Sequence, residues 1–163
     1  MALTTYEQLR LCHVKRWHIV QTHREQTVAE HSYAVAVLAG SLAAAMRWRG
    51  LLHHTEQLRL LQWALSHDMM EVKTGDTPTP FKRALESVAG PGIVEKAEDA
   101  IDRDTAGAYR LVKGSEIEMI VKLADQIEAI FFLQDNGYGQ HALEVLDGLR
   151  SILSEMVERY AVE

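Results

Sequence analysis

Four residues of types that suit a divalent cation stand out in this chain: His31, the adjacent pair His67-Asp68, and Asp125. Two imidazoles and two carboxylates make a mixed nitrogen and oxygen site suited to Zn²⁺, Mn²⁺, Fe²⁺ or Co²⁺. His31 lies on an apolar stripe with Val28, Val35, Leu38 and Leu42, and Asp125 lies between Val121 and Ala129 at helical spacing. A single inward-facing histidine is ordinarily a hydrogen-bonded core residue, and Lys122 or an arginine could neutralise Asp125. A buried carboxylate without a partner, however, costs on the order of several kcal/mol. One cation would account for both residues. Four protein ligands leave a place for water only where the ion expands beyond tetrahedral geometry, as catalysis requires.

Glu71 follows His67 by four residues and so falls on the same face of a helix. A carboxylate there stands beside a metal rather than on it, where it could orient a water and take its proton. A salt bridge to Arg24 or Lys73 is the alternative. The remaining histidines, His13, His18, His23, His53, His54 and His141, have no carboxylate or histidine partner at a telling spacing. His53-His54 reads as a solvated turn.

The elements that must hold these residues are helical, and no segment sustains strand alternation. The spacing predicts a first helix over residues 6–13. Thr27 and Glu30 form a capping box that opens a helix to about Met46. Thr55 can cap a helix that carries Leu58, Leu61, Leu65 and Asp68 and stops near Gly75, because the TGDTPTP segment cannot continue it. A short helix is expected over residues 81–89, ended by Gly90-Pro91-Gly92, and a single one over 93–112. Ser115 and Glu118 read as a second capping box for a helix to about Gln134. After the Asn136-Gly137 turn, a last helix aligns Leu146, Leu149, Leu153, Met156 and Tyr160, a stripe for the core or for another subunit.

With 163 residues and no repeat or linker, the chain reads as one all-α domain. A net charge of -6 argues against a broad nucleic-acid surface, which needs clustered Lys and Arg. It leaves room for a small anionic ligand. Cys12 is the single cysteine, so no intrachain disulfide can form. The N-terminal segment is charged rather than a long apolar run, and stretches such as Ala34 to Ala39 are too short to span a bilayer. No membrane association and a cytoplasmic location are the expectations.

The motifs AEHS (Ala29 to Ser32), HDMME (His67 to Glu71), TGDTPTP (Thr74 to Pro80) and KLAD (Lys122 to Asp125), with Arg16-Trp17 upstream, resemble the HD-domain phosphohydrolase superfamily. Within it the chain is similar to bacterial 5′-deoxynucleotidases of the YfbR type and phage dATP triphosphohydrolases of the DatZ type, over about residues 10 to 135. The resemblance implies a single HD-domain helical bundle over residues 1–163 and a homo-oligomer. It implies His31, His67, Asp68 and Asp125 as ligands of a divalent transition metal (Zn²⁺, Co²⁺ or Mn²⁺), while Mg²⁺ can accompany the nucleotide. Glu71 would position the attacking water, and Asp76 would stand near the sugar or the reacting phosphate. Arg16, Lys82 and Lys122 would hold phosphates, Trp17 would wall off the 2′ position of the deoxyribose, and Ile19 with Pro80 would touch the base.

Three cations beside one metal suit a polyphosphate, because charge-assisted contacts strengthen when partly desolvated. The compact chain is more similar to the phage enzymes, where removal of dATP suits a genome built with 2-aminoadenine. Hydrolysis of dATP in the cytoplasm, that of the host if a phage encodes the chain, is therefore the expectation. Two alternatives stand beside it: a deoxynucleoside 5′-monophosphate phosphatase, and a non-catalytic metal-binding helical module whose last helix mediates assembly.

Overall fold

The computed structural model describes residues 2–48, 53 and 55–162, so His54 lies outside the described residues. The helices are α1 (Thr5–Leu9), α2 (Val28–Trp48), α3 (Glu56–Ser66), α4 (Glu71–Thr74), α5 (Thr79–Ala89), α6 (Ile93–Ile101), α7 (Arg103–Val112), α8 (Glu116–Asn136) and α9 (Gly139–Val162). Isolated bridges, Lys15 with Thr27 and Thr22 with Gly137, are the extended pairings among the described residues. The all-α reading holds.

The centre of the bundle is α2 packed between α3 and α8, with Val35, Ala39, Leu60, Trp63, Ile120 and Ala124 in one cluster. Fully burying a side chain such as Leu60 or Ile120 contributes roughly 1.5–3 kcal/mol. A second cluster joins Ile130, Phe132 and Leu133 of α8 to Leu146, Leu149 and Leu153 of α9. The stripe predicted on the last helix thus packs on the core. The Val28–Met46 stretch of α2, with hydropathy 1.3, is longer than the short apolar runs read from the sequence. Its place between α3 and α8 accounts for that composition.

Five expectations change. The helix expected to run from Thr55 to Gly75 ends at Ser66, and α4 begins at Glu71. Turn hydrogen bonds, Met69 N to Ser66 O and Glu71 N to Asp68 O (3.0 Å each), fill the gap. Thr55 does not cap α3 with its side chain; Glu56 Oε2 instead accepts from the backbone N–H of His53 at 3.1 Å. The single helix expected over 93–112 breaks at Asp102, whose extended backbone and carboxylate cap α7 by accepting from Asp104 N and Thr105 Oγ1. The second capping box does not form at Ser115. Gly114 adopts φ 74° and presents its N–H to Glu118 Oε2 at 2.5 Å, one residue early, while Ser115 Oγ donates to Val112 O.

The first helix is shorter than expected, with a 3₁₀ turn over Arg10–His13. Residues 14–27 then form an arm folded back on itself, Arg16 N donating to Gln26 O (2.8 Å) and Val28 N to Val14 O (2.9 Å). Its tip is fastened to the α8–α9 junction, where His23 N donates to Asn136 O, Tyr138 N donates to Gln21 O, and the His23 and Tyr138 rings stack.

Candidate metal centre

The Thr27–Glu30 capping box is present in both directions, Thr27 N to Glu30 Oε2 at 2.7 Å and Glu30 N to Thr27 Oγ1 at 3.2 Å. It starts α2 one turn before His31, which is fully buried. The His31 Nδ1–H donates to Glu128 Oε2 at 2.6 Å, which turns Nε2 toward the Asp68 and Asp125 carboxylates, where it can hold a proton or, once deprotonated, a cation. His67 Nδ1–H donates to Ala64 O at 2.9 Å, which likewise fixes a proton on Nδ1. Both Nε2 atoms are buried and have no hydrogen-bond partner. Asp125 Oδ1 lies 3.1 Å from His31 Nε2, but off hydrogen-bonding geometry. The turn that ends α3 matters here. On a continuous helix His67 and Asp68 would diverge by about 100°, whereas here Asp68 Oδ2 comes within 3.4 Å of His67 Nε2 and 3.6 Å of His31 Nε2.

These donors fit a divalent cation. One ligand atom each from His31, His67 and Asp125 lies within 4.8 Å of the others, and Asp68 closes on both nitrogens. Tetrahedral ligands about 2.0–2.1 Å from an ion stand about 3.3 Å apart, and the separations of 3.1, 3.4 and 3.6 Å bracket that edge. Two buried, orphaned imidazole nitrogens aimed at carboxylates are otherwise costly. Lys122, the alternative partner for Asp125, pairs instead with Glu118 Oε1 at 2.6 Å.

The electrostatics agree. Burial and the Arg16 charge press His31 down, but the Asp125 and Glu128 carboxylates outweigh them and lift its pKa to about 9. Asp125 is less buried than its apolar stripe implied, its side chain being 42% exposed toward the cavities; the protein packed around it works against ionisation, yet His31, His67 and Arg16 hold its carboxyl well below the usual carboxylate range. Glu71 is buried, its Oε2 has no partner, and burial followed by the Asp68 and Asp76 charges pushes it up to about 9. The alternative bridges from Glu71 to Arg24 or Lys73 do not form, because Arg24 pairs with Glu30 and Lys73 with Glu7. Lys82 Nζ instead lies 3.8 Å from Glu71 Oε1 and 3.7 Å from Glu98 Oε1.

Two cavities flank the cluster. One, of about 460 Å³, brings together Arg16, Trp17, Ile19, Asp76 and Pro80 from the arm and the TGDTPTP segment, with Asp125 at its floor and α9 as its far wall. The other, of about 340 Å³, is bounded by α6, α7 and α8 and contains His67, Asp68, Asp125 and Lys122. Lys82 faces a smaller space behind Glu71. The predicted residues therefore gather around one centre, with the three cations already in ion pairs: Arg16 with Glu128, Lys82 with Glu71 and Glu98, Lys122 with Glu118.

Sequence reasoning missed Glu128, Gln26 and two histidines. His18 lies 4.0 Å from Asp76 Oδ2, and both His18 and His141 line the larger cavity. The signal for Glu128 was present: it falls three residues after Asp125, so both acids face the same way from α8 among Ala124, Ala129 and Ile130. Gln26 left no such signal, since its role depends on the arm folding back.

A sequence profile of the 5′-deoxynucleotidase YfbR-like family matches residues 6–134. A dATP triphosphohydrolase of cyanophage S-2L is 34% identical over 160 residues, 95% of this chain and 81% of the relative. A dATP triphosphohydrolase of Salmonella phage PMBT28 is 36% identical over 169 residues, 99% of this chain and 81% of the relative. The solved structure of the cyanophage S-2L HD phosphohydrolase DatZ, bound to dA and one catalytic Zn²⁺ ion, superposes with a TM-score of 0.81 at 31% identity, covering 95% of this chain and 85% of that one. Ligand cluster, helical architecture and sequence agree, and the chain belongs to the 5′-deoxynucleotidase YfbR-like family of HD phosphohydrolases.

Proposed function

We propose that this chain hydrolyses dATP, releasing phosphate from deoxyadenosine, with a divalent transition metal held by His31, His67, Asp68 and Asp125. The observation that carries the reading is the 460 Å³ cavity whose floor is Asp125 and whose walls are Arg16, Trp17, Ile19, Asp76 and Pro80. A nucleoside placed there directs its 5′ end at the cluster. The similarity to two phage dATP triphosphohydrolases over nearly the whole chain supports the triphosphate substrate, and the Zn²⁺ of the cyanophage structure supports the metal.

When bound, the metal supplies Lewis acidity to the reacting phosphate and its water. Glu71, whose ionised form the cation's charge favours, accepts the water's proton at Oε2, the buried oxygen that has no other hydrogen-bond partner. The water oxygen joins phosphorus, a phosphorus–oxygen bond breaks, and the departing oxygen takes up a proton. Asp76 stands in the same cavity, by the sugar or the reacting phosphate. Arg16, Lys82 and Lys122 hold phosphates by exchanging their present carboxylate partners for phosphoryl oxygens. Trp17 closes the space that a ribose 2′-hydroxyl would need, and Ile19 and Pro80 contact the base. The chain works as a homo-oligomer in the cytoplasm, the host's if phage-encoded, a reading supported by the resemblance.

Hydrolysis of deoxynucleoside 5′-monophosphates is the second reading. The family profile and the ion-paired state of Lys82 and Lys122 favour it. Phosphate release from dATP, 2-amino-dATP, dGTP, dAMP and ATP separates the two. The first reading expects dATP to lead, ATP to fall about 10²-fold, and the 2-amino group to clash at Ile19 or Pro80. Equal rates on dATP, dGTP and 2-amino-dATP would remove the base selectivity, and inactivity on every triphosphate would transfer the assignment to the monophosphates.

A further inference from the structure

Glu128 is buried between the metal cluster and the arm, and its carboxylate serves both. Oε2 accepts from His31 Nδ1 at 2.6 Å and from Arg16 Nη1 at 3.2 Å. Oε1 accepts from Gln26 Nε2 at 2.5 Å, and Gln26 Oε1 in turn accepts from Trp17 Nε1 at 2.8 Å. Gln26 is only 2% exposed. A continuous line of hydrogen bonds, buried as far as Gln26, thus runs from a ligand imidazole to the indole of the arm.

Trp17 needs such restraint. Its φ is 61°, a left-handed conformation that a bulky residue adopts only at a cost of about 1–3 kcal/mol, when its surroundings enforce it. The enforcing contacts are the Gln26 bond, a parallel stack on Phe132 at 5.9 Å, the Arg16 guanidinium 5.2 Å from the ring, and Val20 N donating to Trp17 O.

We propose that Glu128 is a positioning residue that couples metal occupancy at His31 to the ordering of the Arg16–Trp17 arm, with Gln26 as the link to the indole. An imidazole that gives its Nε2 lone pair to a cation becomes a stronger donor at Nδ1, and it grips its carboxylate more firmly. That grip fixes Oε2, which Arg16 shares, and through Oε1 and Gln26 it fixes Trp17. By linkage the ordered arm favours the loaded centre by the same factor. Substrate enters this inference only through the reading above that Arg16 and Trp17 face the nucleotide.

The test needs no nucleotide. Amide hydrogen exchange of residues 14–27 is followed by mass spectrometry in the full chain, with and without saturating Zn²⁺, and Zn²⁺ affinity is measured by chelator competition. In the wild type the metal should slow exchange across the arm by about fivefold or more. Glu128→Gln, which keeps the shape but removes one acceptor, should lose that protection and bind Zn²⁺ about 10–100-fold more weakly. Gln26→Met should lose the protection at Trp17 and Val20 and, by the same linkage, bind Zn²⁺ about fivefold more weakly, a smaller loss than that of Glu128→Gln because the His31–Glu128 contact stays in place. Metal-independent exchange in the wild type, or protection that survives in both variants, would overturn the coupling. A chain that orders its arm on Zn²⁺ yet hydrolyses no deoxynucleotide would sink the proposed function and leave the coupling standing; hydrolysis without arm ordering would do the reverse.

Discussion

The two cavities that meet at Asp125 both mix apolar and polar walls and differ in charge. In the larger one, apolar surfaces of Trp17, Ile19, Val20, Pro80, Leu149 and Ile152 stand among polar groups in which Arg16 and Arg83 balance Asp76 and Asp125, and the arm that shapes it is stitched to the α8–α9 junction by backbone hydrogen bonds. In the smaller one, Asp68, Glu86, Glu95, Glu98, Asp99 and Glu118 face inward, and the lining lysine, Lys122, is already paired. Around its rim Lys113 pairs with Glu95 and Arg110 with Asp99. The first chamber is preorganised for a neutral, flat, partly apolar ligand. The second repels anions until its ion pairs are exchanged. Affinity for the nucleoside part should therefore come from the first, and dependence on phosphate number from the second.

Glu71, buried within reach of the Asp68 and Asp76 charges, tests the division most severely. Glu71→Gln should lower kcat by about 10²–10⁴-fold, equally for dATP and dAMP, while metal content stays at the wild-type level by elemental analysis. A loss that varies with phosphate number would show that Glu71 belongs to the phosphate side alone. Next in size, Lys122→Met should cut kcat/KM for dATP by roughly 10–100-fold, the worth of one charge-assisted contact, and for dAMP by clearly less. Equal losses on both would break the partition.

The smallest effect concerns the ion that joins the chambers. His31 and Glu71 both carry folded-state pKa values near 9, above ordinary values of 6.5 and 4.5. Groups with raised pKa values stabilise the fold fully below their unfolded pKa and lose that contribution as pH rises through the folded value. The metal-free chain should accordingly lose thermal stability from pH 6.5 to 9. Metal binds the deprotonated ligands, so the rise in Tm on adding buffered Zn²⁺ should grow over the same interval. A metal-induced shift that is flat or shrinking across that range would contradict the protonated metal-free centre.

Much of the centre was legible in the sequence, because His31 and Asp125 interrupt apolar stripes at helical spacing and the Thr27–Glu30 box marks where α2 begins. The breaks in the helices were not. Residues 67–74 include Met, Glu and Lys with no Gly or Pro, and there the tighter hydrogen bonds of successive turns replace those of the α-helix without a breaker to announce it. Asp102 hid inside a continuous helical pattern, although Asp102 followed by Thr105 is a usable cap. At Ser115 the pattern was right and the register wrong, because the left-handed Gly114 moved the acceptor's partner back by one residue. The Gln26–Glu128 line depends on contacts 102 residues apart, which no local pattern encodes.

The left-handed backbone of Trp17 also bears on how this position can change over generations. Asn or Gly would occupy the same torsion angles with little or no penalty, so for the backbone alone those two replacements are downhill. Only selection for the ring keeps the site where it is. In a lineage released from discriminating against ribose sugars, position 17 is where sequence drift should surface early, well before the ligands of the cluster begin to vary.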